Sequence, residues 1–82
     1  MVNENLEYII DTIKELSVDL PSKPKTKVNE LLVHMEKLPD ELETNDILKL
    51  QDEIEFISNM ANVDSLTRIE LSNIISDLEG LL

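Results

Sequence analysis

The chain has no cysteine and no tryptophan, and it contains one tyrosine, one phenylalanine and one glycine. Without cysteine there are no disulfides, thiolate zinc sites or thiol nucleophiles, which fits an intracellular chain that needs no covalent cross-link. A phosphate-binding loop of the P-loop or dinucleotide type needs several glycines, so neither is expected. The acidic residues 40–46 lack the central glycine of a calcium-binding loop.

Basic residues are also few. Seven Lys and Arg stand against eighteen Asp and Glu, which gives a net charge of −11. Such a charge repels phosphate backbones and anionic lipids, so we expect neither nucleic acid nor a membrane as the partner, and a basic partner is favoured. No stretch approaches the ~18 apolar residues of a membrane span, and the start of the chain lacks the pattern of an export signal. We therefore expect a cytoplasmic protein.

What the chain does have is aliphatic side chains at helical spacing. Its 82 residues allow one domain, 1–82, and they predict an all-α fold, a compact four-helix bundle. The predicted helices are 4–17, 24–38, 45–58 and 65–79. Four apolar positions, one from each helix, are predicted to be buried in the core: Ile13, Leu31, Ile54 and Ile74.

Proline, glycine and short polar residues mark the helix ends. Lys23 is predicted to cap the second helix with Pro24 at its first position, and Leu38-Pro39 to end it. Gly80, the only glycine, is predicted to close the fourth helix in a left-handed conformation. The other starts have several candidate caps: Thr44, Asn45 or Asp46 for the third helix, and Asp64 or Ser65 for the fourth.

The apolar pattern of the first two helices recurs in the last two. Leu6, Ile9, Ile13 and Leu16 are followed 41 residues later by Ile47, Leu50, Ile54 and Ile57. A similar match links the second and fourth helices at an offset of 43 residues. The pattern predicts two similar antiparallel helical hairpins that bury their apolar faces against each other. The alternative is that any two amphipathic hairpins align in this way.

Catalytic and metal-binding patterns are missing. His34 is the only histidine, four residues after Glu30, and a carboxylate metal site in a helical bundle needs Glu-x-x-His elements on several helices. No serine lies in a nucleophile elbow. We interpret His34 as a surface residue at the edge of a helix, and we expect no catalytic residue, no metal, no cofactor and no enzymatic activity.

Four basic residues form the one candidate site. Lys23, Lys25 and Lys27 lie in a short segment without acids, and Arg68 follows Lys25 by 43 residues. Because a helix start carries partial positive charge, lysines there are unfavourable, which suggests docking of an anion or an acidic partner. The alternative is pairing with neighbouring carboxylates: Asp19, Glu30 and Asp64.

Four apolar residues lie at the edge of the helical stripes and are either contacts for a partner or a wider core: Leu48, Phe56, Leu66 and Ile69. The leading interpretation is a protein–protein interaction module or accessory subunit that binds another protein or a second copy of itself. An aliphatic core of this size leaves limited stability in isolation, which favours such a partner. The alternative is an RNA- or phosphate-linked accessory protein that uses the basic helix starts.

Several short motifs follow one another along the chain: Leu20-Pro21-Ser22-Lys23, Ile57-Ser58-Asn59, Thr67-Arg68 and the stretch from Ile74 to Glu79. In this order the chain, from about Leu6 to Leu78, resembles a family of short archaeal proteins with a compact four-helix form. The resemblance implies an archaeal, cytoplasmic four-helix protein. It implies no activity, because the family has none assigned.

Overall fold

Four α-helices are present in the computed structural model of the protein, which describes residues 4–38 and 42–81. They are α1 Glu4–Ser17, α2 Ser22–Glu36, α3 Thr44–Ser58 and α4 Ser65–Glu79, and the described residues contain no strand. Each end lies within two residues of its predicted position. The prediction of an all-α four-helix bundle is confirmed. None of these four helices is both long enough and apolar enough to cross a membrane.

One core of aliphatic side chains joins the helices. Ile13 and Ile54 are 0% exposed, and Leu31 and Ile74 are each 2% exposed, so all four predicted core positions are confirmed. The apolar stripe of every helix faces this core, because side chains three and four residues apart lie on one side of a helix. The other buried members from the helices are Leu6, Ile9, Val28, Leu32, Met35, Ile47, Leu50, Ile57, Leu71 and Leu78.

Two buried apolar residues come from the connections between helices. Leu20, between α1 and α2, is 8% exposed, and Val63, between α3 and α4, is 4% exposed. The backbone N–H of each bonds back to a carbonyl three residues earlier, that of Ser17 at 3.2 Å and that of Met60 at 3.2 Å. Each of these two connections therefore contributes one side chain to the core.

The helices form a ring in which each contacts its two neighbours. α3 packs most extensively against α4, whereas α1 and α4 make the least contact of the four adjacent pairs. The described residues extend over about 34 × 19 × 18 Å. The finer prediction, that the ring consists of two similar antiparallel hairpins, stays a prediction.

Side-chain bridges cross three of the four boundaries between adjacent helices. They are Lys14 Nζ to Glu36 Oε1 at 3.9 Å between α1 and α2, His34 Nδ1 to Glu53 Oε2 at 3.1 Å between α2 and α3, and Gln51 Nε2 donating to the Ile75 carbonyl at 3.0 Å between α3 and α4. Within the described ranges no such bridge joins α1 to α4. This boundary is thus the least tightly joined part of the ring.

The start of α2 differs from the prediction. Pro21, not Lys23, is the N-cap, and Pro24 is the third helical residue instead of the first. Pro24 is tolerated there because the first-turn amides have no partner inside the helix, and its ring is buried in the core. α2 ends at Glu36 with Lys37 as its C-cap, and Pro39, which was predicted to stop the helix, lies outside the described residues.

The predicted starts of the last two helices were partly right. Glu43 is the N-cap of α3, and Asp46, a predicted cap, instead accepts a hydrogen bond from the Glu43 N–H at 3.1 Å. Asp64, one of the two predicted candidates, caps α4 and accepts a hydrogen bond from the Thr67 N–H at 2.8 Å.

The prediction for Gly80 was wrong. Its φ of −64° and ψ of −13° are right-handed helical values. The Gly80 N–H bonds to the Ser76 carbonyl at 3.1 Å and the Leu81 N–H to the Leu78 carbonyl at 3.0 Å, so the last turn simply continues. No reversal of the chain requires a positive φ there.

Candidate binding surfaces

Both aromatic residues of the chain lie on the surface. Tyr8 on α1 is 67% exposed and Phe56 on α3 is 60% exposed. The chain has no other tyrosine or phenylalanine and no tryptophan, so no such side chain is left for the core. Aromatic side chains contribute strongly to both cores and interfaces, so exposing both forgoes their contribution to the core. Each aromatic lines a separate groove, one between α1 and α4 and one between α2 and α3.

The first groove, called here the acidic groove, lies along the boundary between α1 and α4. It has a volume of about 510 Å³ and is lined by Tyr8, Thr12, Glu15, Leu16, Asp19, Asp64, Leu66, Thr67, Glu70, Asn73 and Asp77. A second depression of about 390 Å³ shares Tyr8 and Asp77 with it and extends it to Gly80 and Leu81. The acidic groove therefore follows most of the length of both helices.

Charge in the acidic groove has one sign. Five carboxylates line it, from Glu15, Asp19, Asp64, Glu70 and Asp77, and no basic side chain does. None of the ion pairs within the described part of the chain involves these five residues. Hydrogen bonding by the Thr67 side chain, and then by its backbone N–H, holds the pKa of Asp64 below its ordinary value, so this carboxylate stays ionised.

Three of these carboxylates oppose the helix dipoles. Glu15 lies in the last turn of α1, Asp19 follows just beyond it, and Asp77 lies in the last turn of α4. The carbonyl end of a helix carries partial negative charge, so an acid near it is unfavourable by roughly 0.3 to 1 kcal/mol. Helix stability therefore does not account for these acids.

The second groove, called here the Phe56 groove, lies between α2 and α3 and has a volume of about 340 Å³. Its charges are mixed, since Lys27 lines it together with Glu30, Asp52 and Glu53. The Lys27 Nζ lies 6.0 Å from the centre of the Phe56 ring and 3.4 Å from Glu30 Oε2. The charges of this groove are thus partly balanced within the chain.

Of the four basic candidates, the structure brings Lys23, Lys27 and Arg68 near one residue, Met60. Lys23 and Lys27 line a depression of about 290 Å³ together with Met60, and Arg68 Nη2 donates to the Met60 carbonyl at 3.2 Å. Lys25 lies two positions from each lysine on α2, and 200° of helical rotation places it on the other side of the helix. Docking of an anion or acidic partner at these residues stays a prediction.

The alternative for these basic residues, pairing with carboxylates, holds for one of them in the described structure. Lys27 pairs with Glu30, as that alternative stated, whereas Arg68 contacts a carbonyl and not Asp64. Lys23 and Lys25 have no ion-pair partner among the described residues. The first turn of α2 contains no acid either.

Reversing the charge of Lys23 is expected to stabilise the protein relative to the same reversal at Lys37. Lys23 is the second residue of α2 and Lys37 is its C-cap, so K23E and K37E change the net charge equally at opposite ends of one dipole. We expect K23E to unfold with a free energy about 1 to 2 kcal/mol higher than K37E. Urea denaturation of both variants measures the difference. Equal stabilities would show that the dipole does not oppose Lys23.

His34 was predicted to lie on a helix edge near Glu30, but its carboxylate partner is Glu53 on α3, at 3.1 Å, whereas Glu30 pairs with Lys27. His34 is thus a half-exposed residue that joins two helices. No group of three or more His, Asp or Glu side chains in the described ranges lies close enough together to hold a metal ion.

The sequence interpretation missed the acidic groove. Its members are scattered over α1, the connection after it and α4, and only the fold places them side by side. Tyr8 was also missed, although its position next to Ile9 and Ile10 placed it beside the apolar stripe. A signal was available in the acids at the carbonyl ends of two predicted helices. The four edge residues, by contrast, all proved exposed: Leu48 by 45%, Phe56 by 60%, Leu66 by 65% and Ile69 by 58%.

The comparisons with known proteins do not test the family resemblance, which stays a prediction. It implied a four-helix form, which the structure has, and an archaeal origin, which nothing in the structure addresses. No family model, no curated protein and no solved structure matches this chain.

Proposed function

We propose that this protein is a non-catalytic interaction module, which binds another protein through the grooves that contain its two aromatic side chains. A cytoplasmic location is part of the proposal and is supported by the absence of cysteine. The grooves lie on opposite sides of the ring, because α1 and α4 form one boundary and α2 and α3 form the other. Two partners, or two segments of one partner, therefore have room to bind together.

The observation that supports this function most directly is the exposure of Tyr8 and Phe56. Aromatic residues are enriched at protein interfaces, where a rigid ring provides a large contact area at a small entropy cost. Each aromatic side chain shares its groove with apolar residues: Tyr8 with Leu16 and Leu66, and Phe56 with the buried Leu31 and Ile57. An aromatic ring within a partly apolar groove is the usual arrangement of an interface anchor.

A binding experiment with three single variants tests the proposal. Tyr8→Ala and Phe56→Ala remove the two anchors, and Val33→Ala, at a residue 50% exposed that lines neither groove, is the matched control. Immobilised protein is incubated with an extract of its native cells, and the bound proteins are identified. We expect at least one protein to bind the wild type and Val33→Ala but not one of the anchor variants. If every bound protein is retained equally by all four, the aromatic grooves are not the binding surface.

Circular dichroism of each variant confirms that it is folded, which these exposed positions should permit. Sedimentation of the wild type tests self-association, which stays a prediction.

The alternative function, an RNA- or phosphate-linked role of Lys23, Lys27 and Arg68, is supported by their position around Met60. It is opposed by the net charge of −11.

A further inference from the structure

We infer that the acidic groove binds a basic amphipathic helix of another protein, with lysines or arginines along the edges of that helix and apolar side chains against Tyr8 and Leu66. This inference rests on the proposed function and specifies the partner of one of its two grooves. Its support is the shape of the groove, its apolar anchors and its charge.

The shape of the acidic groove suits a short helix. From Tyr8 to Leu16 along α1, and from Leu66 to Asp77 along α4, its walls run for about 12 to 17 Å at 1.5 Å per residue. This length corresponds to two to three helical turns of a ligand. The boundary between α1 and α4 is the least extensive in the ring, and no side-chain bridge between described residues crosses it. A ligand there would therefore displace no interhelical ion pair of the described chain.

Apolar anchors are present on both walls. Tyr8 is 67% exposed on α1, Leu66 is 65% exposed on α4, and the partly buried Leu16 also lines the groove. A ligand with one apolar face would cover these side chains. Helices that bind in grooves present such faces, with anchors three and four residues apart.

The negative charge of the acidic groove favours a basic ligand helix. Five carboxylates line the groove without a basic residue, and three of them lie where the helix dipoles disfavour them. A partner with lysine or arginine at the matching positions would neutralise this charge and gain in both affinity and association rate. Nucleic acids and anionic membranes are polyanions, so the same charge repels them.

A second copy of this chain is a poorer occupant. Its only dense basic segment, Lys23 to Lys27, offers Pro24 and Thr26 between the lysines, and Pro24 is already buried in the core. The segment has no exposed apolar face to cover Tyr8 and Leu66. Two chains of charge −11 also repel each other.

The test uses a synthetic helical peptide of leucine and lysine, about 14 residues long, with the leucines on one face. A scrambled peptide of the same composition and a glutamate version of the helical peptide serve as controls. Fluorescence anisotropy measures binding to the full chain at ionic strengths from about 0.05 to 0.5 M. We expect the helical lysine peptide to bind more tightly than both controls, and its affinity to fall as salt is added.

Two matched double variants locate the site. Glu70→Lys with Asp77→Lys alters the acidic groove, and Glu55→Lys with Glu79→Lys makes the same change in net charge at two exposed residues that line neither groove. We expect roughly a tenfold or greater loss of affinity for the groove variant, since two attractions become repulsions, and a much smaller loss for the control variant. Amide chemical shifts of the unmodified protein, which do not depend on any variant folding, should change along α1 and α4.

Several results would overturn the inference. These are equal binding of the scrambled peptide, equal losses in the two double variants, shift changes confined to α2 and α3, or no binding at all. A wild-type dimer that the groove variant dissociates would assign the groove to a second copy.

If the peptide fails while proteins from the extract still bind through Tyr8 or Phe56, the proposed function stands and only the partner chemistry is wrong. If the peptide binds in the groove but no extract protein depends on either aromatic, the proposed function fails instead.

Discussion

Truncating Ile54 to alanine is expected to lower the free energy of unfolding by about 2 to 5 kcal/mol, and Ile13→Ala by a similar amount. Both side chains are 0% exposed and lie on different helices of the one core. The loss combines the removal of buried apolar surface with the cavity that remains, because a close-packed interior relaxes only in part.

A loss of this size is a large share of the protein's total free energy of unfolding. At roughly 0.05 to 0.15 kcal/mol per residue, a chain of 82 residues has a stability of about 4 to 12 kcal/mol. The double variant is therefore expected to be largely unfolded at room temperature if the wild type lies in the lower half of that range.

Urea denaturation followed by circular dichroism measures these losses. The matched control is Ile69→Ala, which removes the same atoms from a side chain that is 58% exposed on α4. We expect the control to change the stability by less than about 0.5 kcal/mol. A loss below about 1 kcal/mol at both Ile13 and Ile54 would contradict the helical phases on which the core assignment depends.

Leu20→Ala is expected to cost about 2 to 3 kcal/mol even though Leu20 lies outside every helix. The side chain is 8% exposed and seals the end of the bundle at which α1 leads into α2. Val63→Ala should cost less, about 1 to 2 kcal/mol, because fewer atoms are removed from the equivalent connection between α3 and α4.

Val18→Ala is the control for both variants. Val18 lies in the α1–α2 connection, as Leu20 does, and is a valine like Val63, but its side chain is 69% exposed. Thermal and urea unfolding of the three variants give the comparison. If Leu20→Ala and Val63→Ala are as stable as Val18→Ala, the connections tether the helices without contributing to the core.

The candidate surfaces could be predicted only in part. The exposed edge residues, such as Phe56 and Leu66, were identifiable because they break the spacing of the buried stripe. The acidic groove was not, because whether Glu15 and Glu70 share one groove depends on which helices are neighbours in the ring. Helical periodicity defines the buried face of each helix but not the helix that packs beside it.

By itself the sequence determined the number of helices, their extent to within two residues and the apolar face of each, because these depend on spacing within one segment and on local breaks such as Pro21. It also limited the cap of α4 to Asp64 or Ser65, and Asp64 is the one that accepts a hydrogen bond from Thr67, three residues away. Tertiary structure alone decided that Leu20 and Val63 join the core, and that His34 pairs with Glu53 on another helix. It also decided that α1 and α4 enclose a groove of uniform charge. The physical reason is range: hydrogen bonding and side-chain periodicity act within a few residues of the chain, whereas the packing of helices brings together residues that no local pattern connects.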